Sequence, residues 1–352
     1  MSKLRIAVIG AGSISDAHLQ AYGANPEAEL AAVCDRNGAR ARAKAEAFGA
    51  ARTYTDYREL LAQPDIDAVS VCTWNDSHAE ISIAALEAGK HVLCEKPLCR
   101  TVEEALRVED AVRRSGRVLQ VGFVRRYNGN TQLLKSFIDA GELGSIYYAK
   151  ASCLRRLGNP GGWFSDRSRS GGGPVIDLGV HIIDVCWYLM GRPKVKTVSA
   201  NTYARLGNRA NVKNLSFYKA ADYDAERNDV EDLANALIRF ENGASLAVDV
   251  SFTLHAKQDE LYVRLFGDKG GAELEPEPVI VTEKHDTIVN LLPQVDNKTF
   301  DFEGSFRNEI NHFIDSVRGR KMTLSPVGDG VEVMKMLCAI YESAREGREI
   351  EL

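Results

Sequence analysis

The sequence contains few cysteines and no cysteine pair. Its seven cysteines are scattered over 352 residues without a Cys-x-x-Cys motif, and several lie inside apolar runs. This pattern argues against a zinc site and against disulfides, and it indicates buried thiols in a reducing compartment.

Long apolar segments and leader patterns are also missing. No apolar run reaches about 18 residues, the length that a membrane-spanning helix needs. The stretch MSKLRIAVIGAG enters a strand pattern directly, without the charged and apolar regions of a signal peptide. We therefore predict a cytoplasmic protein that does not bind a membrane.

An excess of basic residues is absent as well. Lys and Arg number 44 against 49 Asp and Glu, a formal net charge of −5. This mild acidity argues against a nucleic-acid partner. The length exceeds the roughly 250–300 residues to which a single core usually grows, so we predict two domains.

The first 122 residues alternate strand and helix patterns. LRIAVIG is a continuous apolar run bounded by glycine, which is typical of a strand buried on both faces. Further strand patterns follow at ELAAVCD, IDAVSVCT, KHVLCE and RVLQVGF, with helical segments between them. This order predicts an α/β domain over 1–122 with a parallel, doubly wound sheet.

The pattern changes after Phe123, where longer strands follow one another with few helices between them. The segment ALIRFENGASLAV places Asn242 and Gly243 between two strands, a hairpin signal. We predict that 123–352 forms an α+β domain with a large, mostly antiparallel open sheet and helices on one face. The other face is available for self-association, and 205–228 is an irregular insertion.

A glycine motif, VIGAGSIS, follows the first strand. Gly10 allows a tight turn, Gly12 lets the backbone approach a pyrophosphate, and Ser15 occupies the third position, where glycine or alanine is usual. Asp35 closes the second strand and is placed to accept hydrogen bonds from ribose hydroxyls. Its charge favours NAD over NADP, although Arg36 is placed to bind a phosphate. An ordinary tight turn is the simpler interpretation of the glycines alone.

Two further clusters carry polar side chains in apolar surroundings. Glu95 and Lys96 leave a buried strand at the edge where ligands bind in open α/β sheets, and Pro97 fixes the turn. In GGGPVIDLGVHIID, Asp177 and His181 are four residues apart and share one face of a helix. A carboxylate beside an imidazole suits a general base. Solvated strand-end charges and a core histidine are the simpler alternatives.

These segments together resemble the Gfo/Idh/MocA family of NAD(P)-dependent sugar and cyclitol dehydrogenases. The resemblance implies that Lys96 is the catalytic lysine, Asp177 its acidic partner and His181 the acid/base. It also implies assembly into homodimers or homotetramers through the open sheet. TWNDSH matches the family's cofactor-facing loop except at Trp74, where proline is usual. The residues predicted to bind the cofactor are Gly10, Gly12, Ser13, Ile14, Asp35, Arg36, Thr73, Trp74, Asn75, His78 and Glu95.

The substrate side is predicted from aromatic and basic residues near the two catalytic clusters. GFVRRYN matches the family's start of the second domain, and RRLGNPGGWFSDRSRSGGG precedes the catalytic helix. The residues predicted to bind substrate are Lys96, Arg126, Tyr127, Trp163, Arg167, Asp177 and His181. Ordinary strand-end solvation is the alternative for Arg126 and Tyr127.

We therefore predict an NAD-dependent dehydrogenase that oxidises a secondary hydroxyl of a sugar, sugar derivative or inositol. One alternative is a glycoside hydrolase that uses NAD for transient oxidation and elimination. The other is a dinucleotide-binding protein without catalysis. No metal is predicted.

Overall fold

A computed structural model of the chain describes residues 2–352, which form two compact units. One unit extends to Tyr127 and includes Phe302–Met334, and the other comprises Asn128–Asp301 and Lys335–Leu352. The helices in chain order are α1 (Ser15–Ala24), α2 (Gly38–Phe48), α3 (Tyr57–Leu61), α4 (Asn75–Glu87), α5 (Val102–Ser115), α6 (Gly129–Asp139), α7 (Arg167–Ser170), α8 (Val180–Leu189), α9 (Phe302–Val317) and α10 (Val327–Glu346).

The first unit is built on a parallel sheet of six strands in the order β3-β2-β1-β4-β5-β6. These strands are β1 (Leu4–Ile9), β2 (Ala28–Cys34), β3 (Arg52–Tyr54), β4 (Ala68–Val71), β5 (His91–Glu95) and β6 (Leu119–Gly122). This is the doubly wound order of dinucleotide-binding domains, so the predicted fold class is confirmed. The sequence patterns missed β3 and α3, because three and five residues are too short to show a period.

Helix α9 belongs to this first unit, whereas the sequence prediction placed it in the second domain. Its apolar residues Ile310, Phe313 and Ile314 are buried in the same core as Leu19 of α1 and Val8 of β1. An amphipathic pattern shows that a helix has a buried face, but it does not show which sheet covers that face.

The second unit contains nine strands in the order β14-β13-β12-β11-β7-β10-β9-β8-β15. They are β7 (Ile146–Leu154), β8 (Val195–Tyr203), β9 (Leu233–Phe240), β10 (Ser245–Ser251), β11 (Glu260–Gly267), β12 (Gly271–Glu275), β13 (Val279–Lys284), β14 (Thr287–Leu291) and β15 (Ile350–Glu351). Neighbouring strands are antiparallel except β10 and β7, which run parallel. The mostly antiparallel sheet is therefore confirmed.

The predicted hairpin between β9 and β10 is present. Gly243 has φ +86, the left-handed region that glycine adopts without strain, and Arg239 pairs with Ser245 across the turn. Leu246, Val248 and Val250 are buried on one face of β10. Residues 205–228 lie between β8 and β9 without helix or strand, as predicted.

Three further observations concern cysteines, metals and membranes. All seven cysteines are free thiols. Residues 2–352 contain no cluster of three His, Cys, Asp or Glu side chains that could hold a metal ion. No helix within the same range is long and apolar enough to cross a membrane.

Candidate active site

The glycine loop after β1 has the geometry that a dinucleotide needs. Gly10 has φ +97, and a Cβ placed there would lie 2.5 Å from the carbonyl oxygen of Cys72, so only glycine fits. A Cβ placed at Gly12 would meet no described atom within 4 Å, which leaves open space beside the backbone. Ser15 is buried and donates its hydroxyl to the carbonyl of Gly12 at 2.6 Å, which closes the loop at the start of α1. The loop therefore fits a pyrophosphate at a helix N-terminus.

Asp35 lies beside this loop at the end of β2. One carboxylate oxygen accepts the backbone N–H of Ala11 at 2.8 Å, and the other accepts that of Asn37 at 2.8 Å. Each carboxylate oxygen accepts two hydrogen bonds, so both keep capacity for ribose hydroxyls. Arg36 and Ser13 are exposed on the same loops, and Ile14 is half-buried. The residues present thus fit a nicotinamide dinucleotide.

The loop between β4 and α4 contains the predicted residues Thr73, Trp74, Asn75 and His78. Trp74 is 40% exposed, whereas Asn75 is buried. His78 is buried, with Nδ1 2.7 Å from the carbonyl oxygen of Pro97 and Nε2 3.0 Å from that of Thr73. Burial alone lowers the pKa of His78, but the Cys94 sulfur and these carbonyls raise it to about 9.

Two carbonyl acceptors occupy both ring nitrogens of His78, so the imidazole donates twice and carries a positive charge at neutral pH. His78 ties the loop after β4 to the segment after β5. Its ring nitrogens are therefore occupied by protein carbonyls, and a cofactor contact of His78 remains a prediction.

Glu95 is likewise enclosed by the protein. One carboxylate oxygen lies 2.8 Å from Nε2 of His18, and the other accepts the backbone N–H of Lys96 at 3.1 Å. Nδ1 of His18 lies 3.2 Å from the Ser70 hydroxyl, which in turn lies 2.8 Å from the Tyr22 hydroxyl. This buried polar chain orients the strand end, and a direct cofactor contact of Glu95 remains a prediction.

His18 was not predicted from the sequence. It lies one helical turn after Ser15 and one before Tyr22, so these three polar side chains share one face of α1. All three are buried. A polar stripe on the sheet-facing side of a helix was the available signal.

Lys96 is the first residue after β5, at the carboxyl edge of the parallel sheet. Its side chain is partly exposed, while Glu95 before it and Pro97 after it are buried. The backbone is held on both sides of this residue. The Glu95 carboxylate accepts the N–H of Lys96, and the His78 ring binds the carbonyl of Pro97. This arrangement presents an ammonium group from a fixed stem at the edge where α/β folds bind ligands.

In the second unit, the predicted catalytic helix begins with a π-type turn over Val175–Gly179 and continues as α8. Among residues 172–189, Asp177 and His181 are the two that are not buried. Single π turns are frequent at functional sites. A carboxylate and an imidazole thus stay partly exposed on an otherwise buried segment. Asp184, three residues after His181, is buried.

Two predicted substrate residues require a correction. Arg126 has no exposed surface; it pairs with Asp329 and donates to the carbonyl of Leu324 at 2.8 Å. Tyr127 is buried, with its hydroxyl 2.9 Å from that of Ser325. Side chains enclosed in this way cannot line a site in this conformation, so both are core residues of the first unit.

Trp163 and Arg167 lie in the second unit, ahead of the catalytic helix. Trp163 is half-buried in a short 3₁₀ turn over Gly162–Ser165, and its ring centroid lies 4.0 Å from that of Phe164. The Arg167 guanidinium lies 5.2 Å from the Tyr341 ring centroid and 3.5 Å from the Glu231 carboxylate. Arg167 is therefore held by protein partners, although its side chain is 47% exposed.

Comparison with known proteins finds relatives that match this chain over most or all of its length. A D-glucoside 3-dehydrogenase of Escherichia coli (strain K12) is 35% identical over 354 residues, covering 100% of this chain and 98% of that protein. A levoglucosan dehydrogenase of Pseudarthrobacter phenanthrenivorans is 31% identical over 284 residues, covering 77% and 73%. A myo-inositol 2-dehydrogenase of Thermotoga maritima is 28% identical over 353 residues, covering 99% and 98%.

A solved structure of levoglucosan dehydrogenase in complex with NADH and levoglucosan superposes with a TM-score of 0.87 at 25% identity, covering 99% of each chain. The profile described as "Oxidoreductase family, NAD-binding Rossmann fold" matches residues 4–123. The profile described as "Oxidoreductase family, C-terminal alpha/beta domain" matches residues 135–352. The chain therefore belongs to the Gfo/Idh/MocA family of NAD-binding oxidoreductases.

Proposed function

We propose that this enzyme is an NAD-dependent dehydrogenase of pyranosides that oxidises a ring secondary hydroxyl to a ketone. The observation that carries the proposal is the joint partial exposure of Asp177 and His181 on an otherwise buried helix. The substrate class rests on the full-length similarity to a D-glucoside 3-dehydrogenase. The hydroxyl at C3 of a glucoside is therefore the first position to test.

Bound NAD supplies the chemistry of the step by accepting a hydride from the carbinol carbon. His181 removes the hydroxyl proton as general base, and Asp177 favours the charged form of the imidazole that results. Lys96 donates a hydrogen bond to the reacting oxygen and stabilises its developing negative charge. The products are the ketone, NADH and one proton, so atoms and electrons balance.

The choice of cofactor is proposed from Asp35. Its carboxylate is held by two backbone N–H groups, so it cannot swing away from a 2′-phosphate without losing them. Repulsion at this position favours NAD over NADP. Arg36, which is exposed beside it, is the group that would moderate this preference.

Trp163 is proposed to contact the sugar together with Phe164. An aromatic face packs on the C–H groups of a pyranose, and the close Trp163–Phe164 pair gives a broad surface of this kind. Arg167 is proposed to bind a hydroxyl from its exposed side while its other side stays on Tyr341 and Glu231.

The experiment is an NADH-absorbance screen over methyl glucosides, levoglucosan, free sugars, uronates and inositols, run with NAD and again with NADP. We expect turnover with glucosides and NAD, and loss of turnover in His181→Asn. His285→Asn is the control, because His285 is exposed at a turn with φ +51, a conformation that asparagine tolerates. Full activity of His181→Asn would refute the proposed general base.

The same screen with an aryl glucoside added tests the hydrolase alternative, which remains a prediction. Oxidation followed by elimination and re-reduction would release sugar from an aryl glucoside without net NADH. We expect net NADH formation instead.

We further propose that the open face of the nine-stranded sheet binds a second copy of the chain. The register places Tyr148 beside Phe266 and Lys150 beside Arg264 on this face. Tyr148 and Phe266 are stacked at 5.4 Å, and Phe266 is exposed. Light scattering on the purified protein tests this expectation, with a monomer as the contrary result.

A cytoplasmic location is likewise proposed, and fractionation of the native cells tests it.

A further inference from the structure

Glu231 is a buried carboxylate directly behind the glycine loop that leads into the catalytic helix. Both of its oxygens lie 3.1 Å from the backbone N of Gly173, and one also accepts the N–H of Val175 at 3.2 Å. The Tyr341 hydroxyl donates to this same oxygen at 2.7 Å. The carboxylate thus accepts hydrogen bonds from the N–H groups of Gly173 and Val175, at the start of the π-type turn that contains Asp177.

The glycines of this loop are explained by the same cluster. A Cβ at Gly172 would lie 2.0 Å from the Tyr341 hydroxyl oxygen, and one at Gly173 would lie 2.6 Å from the Glu231 carbonyl oxygen. These two positions leave no room for a side chain, because Tyr341 and Glu231 approach the backbone closely.

A carboxylate enclosed in this way is expensive unless its hydrogen bonds are made. Burial raises the pKa of Glu231, while the Tyr341 hydroxyl and the backbone donors oppose that rise. Arg167 adds a guanidinium nitrogen at 3.5 Å. Because so many donors bind the Glu231 carboxylate, the backbone of residues 173–175 is held in one position. The helix begins directly after these residues, so its start is held as well.

We propose that Glu231 is a positioning residue for the oxidation, which holds the start of the catalytic helix so that Asp177 and His181 present the correct geometry to the sugar. Tyr341 supports Glu231 by donating its hydroxyl to the carboxylate. The inference rests on the proposed function for the roles of Asp177 and His181.

The neighbouring residue provides a matched control. Asp232 is also a buried carboxylate that binds backbone donors, those of Arg205, Leu206 and Gly207 at the start of the insertion. Asp232→Asn and Glu231→Gln therefore remove the same charge one residue apart, but only Glu231 contacts the loop of the catalytic helix.

The test compares kcat, KM for NAD, and thermal unfolding in the two variants. In Glu231→Gln one carboxylate oxygen becomes an amide NH2 group, a donor that faces the N–H of Gly173, so the turn must shift. A shift of about 1 Å corresponds to a roughly 100-fold loss of kcat. We expect that loss with KM for NAD unchanged, against a change of less than about threefold in Asp232→Asn. Equal kcat in both variants overturns the proposal.

Two further measurements keep the outcome clear. Tyr341→Phe leaves the carboxylate in place and removes one donor, and we expect kcat to fall by about tenfold, or 1.4 kcal/mol of barrier. Unchanged kcat contradicts the inference even if Glu231→Gln fails to fold.

Hydrogen exchange at Gly173 and Val175 requires no substrate. If the wild-type enzyme oxidises no sugar, the proposed function fails, and faster exchange in Glu231→Gln than in Asp232→Asn still supports positioning. Equal exchange overturns it.

Discussion

Nε2 of His18 lies 2.8 Å from a carboxylate oxygen of Glu95, in the interior of the first unit. The second carboxylate oxygen of Glu95 accepts the backbone N–H of Lys96 at 3.1 Å. A helix residue that precedes the strand end by 77 positions therefore fixes the stem of the proposed catalytic lysine. The backbone of Lys96 is held by the hydrogen bonds from His18 to Glu95 and from Lys96 to Glu95, so the point from which its side chain extends is fixed.

Replacing His18 with leucine leaves Glu95 without its side-chain donor. An unsatisfied buried acceptor costs about 1–3 kcal/mol, so we expect the free energy of unfolding to fall by that amount. We also expect kcat to fall while NADH binding persists, because Lys96 loses its fixed stem. Urea unfolding and steady-state kinetics measure the two effects. Ser70→Ala is the control for turnover, since it removes the contacts of the Ser70 hydroxyl with His18 and Tyr22 and leaves Glu95 paired. It lowers stability as well, so an equal loss of kcat in the two variants is the result that would contradict a specific role of the His18–Glu95 pair.

Replacing Lys96 with methionine removes the ammonium and keeps a side chain of similar length. We expect turnover to fall by about 10²–10³-fold, the usual loss for one donor to a developing oxyanion. NADH binding, followed by fluorescence, should remain. Lys213→Met tests for a general charge effect, because Lys213 is exposed in the insertion. Wild-type turnover in the Lys96 variant would remove this residue from the mechanism.

The two glycines of the cofactor loop should respond differently to alanine. Gly10→Ala places a methyl group 2.5 Å from a carbonyl oxygen at φ +97, and strain of this kind costs about 1–3 kcal/mol. Gly12→Ala meets no described neighbour within 4 Å, so its folding should be nearly unchanged. Its NADH affinity should fall by about tenfold or more, or 1.4 kcal/mol, because the methyl group fills the space proposed for the pyrophosphate. Urea unfolding and NADH titration of both variants separate the two effects, and normal NADH binding by Gly12→Ala would contradict the assignment.

The charge of His78 predicts a pH dependence of stability. Its pKa is raised from 6.5 to about 9, so the folded protein holds this proton more tightly than the unfolded chain. The contribution is complete below pH 6.5 and disappears as pH rises through about 9. A difference of this size corresponds to about 3 kcal/mol. Urea unfolding at several pH values should show the decline in the wild type and a flatter profile in His78→Asn, and parallel profiles would contradict the charged state.

Much of the architecture could be predicted from local patterns. Apolar strands that alternate with helices favour a parallel sheet covered on both faces, and Asn242-Gly243 between two strand patterns favours a hairpin. The partly exposed positions of Asp177 and His181 follow the same kind of pattern, because they are two polar residues in an apolar helix, and their catalytic roles remain a prediction. The π-type turn before α8 was not found, since one additional residue in a turn does not change the apolar pattern.

The sequence alone therefore determined which segments have a helix or strand pattern of apolar residues, and which polar residues are candidates for the active site. The tertiary structure decided which distant groups meet. It pairs the buried Arg126 with Asp329 and Glu95 with His18. It also places the Glu231 carboxylate on the backbone N–H of Val175, at the start of the predicted catalytic helix. Each of these pairs depends on satisfying a buried polar group across a large sequence separation, and such a requirement leaves no periodic trace along the chain.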